Sequence, residues 1–302
     1  MHLAVGDSAF ATRLEKAGWA LRRRLDTEAA PLFVEPKEAL QGEAGRAGSF
    51  PAPLNEWYHE DTLVELAVLF EGAFEIPEDG VRLVLLAILS SLAKPLSSQT
   101  KSWGHLADNV KPEKLVYKPT VDYFARAVGR AVRALRRDAP FVARGRAHAI
   151  ILAADARSLP IGSSTVDLVV TSFPYPGMSD YALANRLSLM WFATDPASLV
   201  PSEIGARRKR FRRSALEEFA AEMGLVFDEI RRCLRPGGHL AVVGPAYGEE
   251  DRRFATVSRL LDGLEGDSLR QVKRIERSVP ARRKRQSWGT LGRESITIWR
   301  KN

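Results

Sequence analysis

The sequence predicts an α/β fold, and three observations carry that prediction. Residues 167–171 (Asp-Leu-Val-Val-Thr) are an apolar, β-branched run of strand length. It stops at Ser172, because Pro174, Pro176 and Gly177 let neither strand nor helix continue. Residues 214–234 repeat apolar side chains at helical spacing, and Arg235-Pro236-Gly237-Gly238 then separates that helix from an apolar strand over 239–244. Residues 270–277 and 294–301 alternate in the manner of an antiparallel pair. The expected architecture is a mostly parallel sheet finished by a C-terminal antiparallel hairpin.

Taken in order, residues 1–5 are a short apolar run, and Gly6-Asp7-Ser8 opens a helix over 9–17 that Gly18 ends. Residues 19–25 read as a second strand with Asp26 at its end. Residues 35–53 are rich in Gly, Ala, Glu and Pro, as a linker is. Leu63, Leu66, Ala67, Phe70 and Phe74 then recur at helical spacing, and 81–92 is a nearly continuous apolar helix. Residues 94–112 lose all periodicity. An amphipathic helix follows over 120–137, with arginines opposite its apolar face, and a strand over 149–153 ends at Asp155. Another helix covers 252–264.

Composition narrows the classes. Forty-five basic residues against 37 acidic give a net charge of +8 and suit a polyanionic partner. Cys233 is the only cysteine, which excludes an intrachain disulfide and a cysteine zinc cluster. No apolar run reaches membrane-spanning length and the N-terminus lacks a signal-peptide core, so the cytoplasm is the expected compartment.

The turn after the 167–171 strand reads Thr171-Ser172-Phe173-Pro174-Tyr175. It resembles the TSPPY motif of the amino-methyltransferases, enzymes that methylate exocyclic amines of nucleic-acid bases with S-adenosylmethionine. Phe173 stands where the family has its first proline. Residues 103–112, with Trp103, His105, Asp108 and Asn109, resemble a run found in some of these methylases, and the Pro-Gly-Gly strand is similar to their fifth. The resemblance implies a Rossmann-type class I methyltransferase, one domain over 1–302. Its parts are a degenerate cofactor-binding βαβ start (1–34), a linker (35–54), a helical insertion (55–112), and a catalytic core with its hairpin (113–302).

The same resemblance implies the site. Ser172 (through its hydroxyl) and Phe173 (through its carbonyl) accept the two amine hydrogens, so that the nitrogen lone pair localises toward the methyl group. Pro174 stiffens the loop, and Tyr175 stacks on a base swung out of the duplex. Gly6, Asp26, Asp155 and Thr171 are the cofactor-binding candidates. Asp180, Tyr181 and Arg186 follow the motif as a segment that closes over the base. Arg207, Arg208, Lys209, Arg210, Arg212 and Arg213, with Phe211 among them, suit phosphate contact. The substrate implied is DNA, with N4 of cytosine favoured because a serine, Ser172, stands before the turn where enzymes acting on N6 of adenine have aspartate or asparagine. N6 of adenine, an RNA base and a non-catalytic nucleic-acid-binding subunit of a split enzyme stay open. A restriction enzyme or a second methyltransferase subunit is the implied protein partner.

Overall fold

A computed structural model of the chain describes residues 8–25, 27, 54–99, 111–145, 150–246, 251–266, 268–279 and 292–302. The fold is α/β, and its contacts gather into two compact units where the sequence predicts one domain. The first holds Met1–Ser102, Asp108–Ile151 and Asn185–Ser198; the second holds Trp103–Ala107, Leu152–Ala184 and Leu199–Asn302.

The first unit is helical among its described residues. Helix α1 (Ser8–Arg24) corrects the prediction of a helix ending at Gly18 followed by a strand over 19–25. Phe10, Leu14, Leu21 and Leu25 keep one buried stripe straight through the glycine. Arginines 22–24 sit in the last turn, where they suit the helix dipole. Gly18 marks close packing and not a stop: a Cβ there would stand 2.8 Å from Val128 Cγ1 on α4 (Thr120–Gly145). The predicted βαβ start is therefore a single helix where it is described, and Gly6 and Asp26 lie outside the described residues.

Helices α2 (Glu60–Phe74) and α3 (Asp79–Leu96) match the predicted apolar patterns. Buried Glu65 joins α2 to the start of α4: its carboxylate accepts from the Thr120 amide and the Tyr117 hydroxyl, both at 3.0 Å. Burial, with this bond second, pushes the Tyr117 phenol up to about 12. After the motif come two short helices, α5 (Tyr181–Ala184) in the second unit and α6 (Arg186–Trp191) in the first. On α6, Trp191 stacks on Phe70 at 4.6 Å and donates its indole N–H to the Tyr58 hydroxyl at 3.2 Å. Tyr58 in turn donates to the Ala93 carbonyl at 2.6 Å. The remaining short helix is α7 (Pro196–Leu199).

The second unit is built on a four-stranded sheet: β1 (Val166–Ser172), β2 (Leu234–Pro245), β3 (Leu269–Ser278) and β4 (Arg293–Lys301), in the order β1-β2-β4-β3. The predicted hairpin pairing of β3 with β4 is present. The predicted mostly parallel sheet is not, among the described residues: only β1 and β2 run parallel, and β2–β4 and β3–β4 are antiparallel. Helices α8 (Ala215–Cys233) and α9 (Arg252–Asp262) supply Phe219, Met223, Phe227, Val257 and Leu261 to a core shared with Leu240, Val242 and Trp299 of the sheet.

Period-2 alternation puts a second set of side chains on the opposite face. The register aligns Val170 with Ala241, Ile298 and Lys273, Ser172 with Val243, Ile296 and Ile275, and Leu168 with His239, Arg300 and Arg270. None of these is buried. The strand predicted over 149–153 is also absent where described: residues 150–154 pair with nothing, and Ile150, Ile151 and Leu152 are exposed. An apolar run becomes a strand only beside a neighbour that accepts its hydrogen bonds, and the described residues offer none to 150–154.

Candidate functional site

The candidate site is the loop at the carboxyl end of β1. Such ends gather ligands in α/β sheets, because strands deliver side chains there and loops leave the backbone accessible. Along the loop, burial alternates. Ser172 is exposed, while the Phe173 ring is buried edge-to-face against Phe227 of α8, with centroids 5.0 Å apart. Tyr175 is half-buried and stands edge-to-face to Phe254 of α9 at 5.3 Å. The bulk of Phe173 is thus taken up by the core.

The loop closes on itself and on the segment before α8. The Met178 amide donates to the Tyr175 carbonyl at 3.2 Å, and the Gly177 amide to the Gly205 carbonyl at 2.8 Å. Gly177 and Gly205 both have left-handed backbone, φ +73° and +67°. At Gly205 a side chain would also meet the Phe219 ring at 2.9 Å and Pro176 Cα at 3.3 Å. The Arg207 amide donates to the Ser179 carbonyl at 3.1 Å, and the Arg208 amide to the Asp180 carboxylate at 3.1 Å. The motif loop and the basic run, some thirty residues apart in sequence, are therefore stitched together by backbone.

This stitching divides the predicted nucleic-acid residues. Asp180 is buried and fastens the basic run. Lys209 donates to the Glu203 carbonyl at 2.9 Å and to Glu222 at 3.2 Å, and the Arg208 guanidinium donates to the Val200 carbonyl. Arg207 is half-buried, and Arg212 pairs with Glu218 at 3.3 Å. Tyr181, Arg210 and Arg213 face solvent, as does Phe211, 81% exposed with the Arg210 guanidinium over its ring at 4.2 Å. Arg186 belongs to the first unit, where its guanidinium lies over the Trp57 ring at 4.7 Å.

Glu203 escaped the sequence reading. Its carboxylate accepts from the Ala182 amide at the start of α5, and burial pushes its pKa above the ordinary value. A lone glutamate between Ser202 and Ile204 gives no signal of this in the sequence.

Of the cofactor candidates, Asp155 and Thr171 lie among the described residues. The Asp155 carboxylate is bidentate on Arg157 at 2.7 and 3.0 Å, and that bond holds it below the usual carboxylate range. Arg157 is itself tied to Glu222 at 3.2 Å. Thr171 is half-buried in the sheet, paired with Val242. A groove of about 430 Å³ between α8 and α9, lined by Leu216, Glu217, Arg252 and Arg259 among others, contains none of the predicted site residues. Trp103, His105, Asp108 and Asn109 lie outside the described residues.

No protein-family model matches the chain, and no curated protein does.

Proposed function

We propose that the chain takes part in the S-adenosylmethionine-dependent methylation of an exocyclic base amine in DNA, N4 of cytosine in the favoured case, on a Rossmann-type methyltransferase scaffold. The observation that carries this reading is the Thr-Ser-Phe-Pro-Tyr loop at the end of a strand whose neighbour is parallel, with Ser172 exposed and the Phe173 ring withdrawn into the core. A ring packed on Phe227 leaves the outer side of the loop to small and polar groups.

In this reading the chain's own residues do the work on the base. A base amine is a weak nucleophile because its lone pair is delocalised into the ring. Two oxygen acceptors, the Ser172 hydroxyl and the Phe173 carbonyl, hold the amine hydrogens so that the lone pair localises in one direction. Tyr175, its plane fixed by Phe254, gives the flipped base a surface to stack on. Arg210 and Arg213, exposed beside Phe211, meet the phosphates of the strand from which the base is drawn.

A second form of the reading keeps this chain as the base-holding part of a split enzyme. Methyl transfer to DNA from radiolabelled S-adenosylmethionine tests the reading. In the competent assembly, Tyr175→Ala and Ser172→Ala should each lower transfer by at least tenfold with the thermal midpoint nearly unchanged. Full activity in both variants overturns it, and product analysis separates N4-cytosine from N6-adenine, and DNA from RNA.

A further inference from the structure

Among the described residues, the sheet of the second unit is covered on one face and has no strand beside the outer edge of β1. Its uncovered face carries Leu168, Val170, Ala241, Val243, Ile296 and Ile298, with Val170 71% and Leu168 55% exposed. Parallel strands normally bury both faces, because their crossovers lay helices on each. The outer side of β1 pairs with no strand among the described residues, and an apolar edge with open N–H and C=O groups is a template for another strand.

A third observation comes from the segment before β1. Residues 150–152, two isoleucines and a leucine, lie 53–76% exposed and form no strand. In a doubly wound sheet of order 3-2-1-4-5, the third and fourth strands of the chain are not neighbours; the second and first lie between them. If β1 and β2 are the fourth and fifth of such a sheet, residues 150–152 have no partner until two intervening strands arrive.

Charge distinguishes the candidates for supplying them. Arg270, Lys273 and Arg300 border the apolar patch on the same face, and the chain carries +8 overall. A second copy brings the same arginines against each other, whereas a partner with carboxylates around an apolar surface complements them. Nucleic acid suits the arginines but leaves Leu168 and Val170 uncovered.

We propose that the free edge of β1 and the apolar face beside it dock a second, acidic α/β polypeptide that contributes two parallel strands next to β1. That this partner brings the glycine turn for S-adenosylmethionine rests on the methyltransferase reading above.

The test places a photoreactive side chain at position 170 in the full chain, irradiates in the native cell, and identifies what is joined to it. The expected product is an acidic protein whose sequence contains a strand, a glycine turn and a helix. Co-purification of the two proteins should fall at least tenfold with Val170→Lys or with Leu168→Lys, while the isolated chain keeps its thermal midpoint. Cross-links confined to this chain, to a second copy or to nucleic acid overturn the proposal, as does a complex indifferent to both variants. A complex that depends on position 170 yet methylates no base amine upholds the docking and overturns the methyltransferase reading.

Discussion

The two units bury their apolar residues differently. In the helical unit the stripes of α1 to α4 and α6 converge on one core, down to Trp191 stacked on Phe70 and hydrogen-bonded to Tyr58. In the sheet unit the core lies on one face only, while isoleucines, valines and a leucine on the other stay partly or largely exposed. A helix presents one stripe and is satisfied by one layer of neighbours; a sheet has two faces and two sides, and each must be met separately. The difference teaches that one layer of neighbours buries a helix stripe, whereas it leaves the second face of a sheet partly exposed among the described residues.

This contrast can be broken most forcefully in the helical unit. Trp191→Ala removes the stack on Phe70 and leaves Tyr58 without its indole donor, and it should cost about 3–5 kcal/mol. Denaturant unfolding measures the loss. Hydrogen exchange that rises in α2 and α3 but leaves β2 and β4 protected would establish that the units open separately.

A middling effect is expected where helices touch most closely. Gly18→Ala brings a methyl within 2.8 Å of Val128 Cγ1 and should destabilise by about 1–3 kcal/mol, despite alanine's better helix propensity. A gain in thermal midpoint would show that α1 and α4 are less tightly packed than described.

The sheet unit offers a pH test. Glu229 of α8 accepts from Arg232 and from the Leu159 amide, and the Arg232 bond, the larger cause, draws its pKa from 4.5 to about 2. A lowered folded-state pKa contributes stability that is complete above the unfolded value and fades as pH falls through the folded one. The advantage of the native chain over Glu229→Gln should therefore be constant near neutrality and shrink between pH 4.5 and about 2. Acid titration of both proteins, followed by circular dichroism, checks it.

The smallest effect sharpens the contrast most. Val170→Thr, on the uncovered face, should change the stability of the isolated chain by less than about 0.5 kcal/mol. A loss of several times that size would mean that the face is already covered.

Some of this was legible residue by residue. The β-branched run into Ser172 and its proline-glycine stop are local signals, and β1 lies where they put it. The stripes of α2, α3, α4, α8 and α9 are read from spacing alone. Gly18 misled because propensity treats a glycine as a stop, whereas Val128 on a distant helix makes it a contact. Residues 150–152 misled for the converse reason: the pattern of a strand is local, but a strand exists only with a neighbour.

The sequence by itself determined the helical stripes of α2, α3, α4, α8 and α9 and that a stiff hydroxyl-bearing corner follows an apolar strand, because each depends on residues within one or two turns of each other. The tertiary structure alone decided that the Phe173 ring faces Phe227, that Asp180 and Gly205 bind the corner to the basic run, and that one face of the sheet carries partly or largely exposed apolar side chains among the described residues. Those outcomes depend on groups tens of residues apart, whose meeting is fixed by packing and by hydrogen bonds that no local pattern encodes.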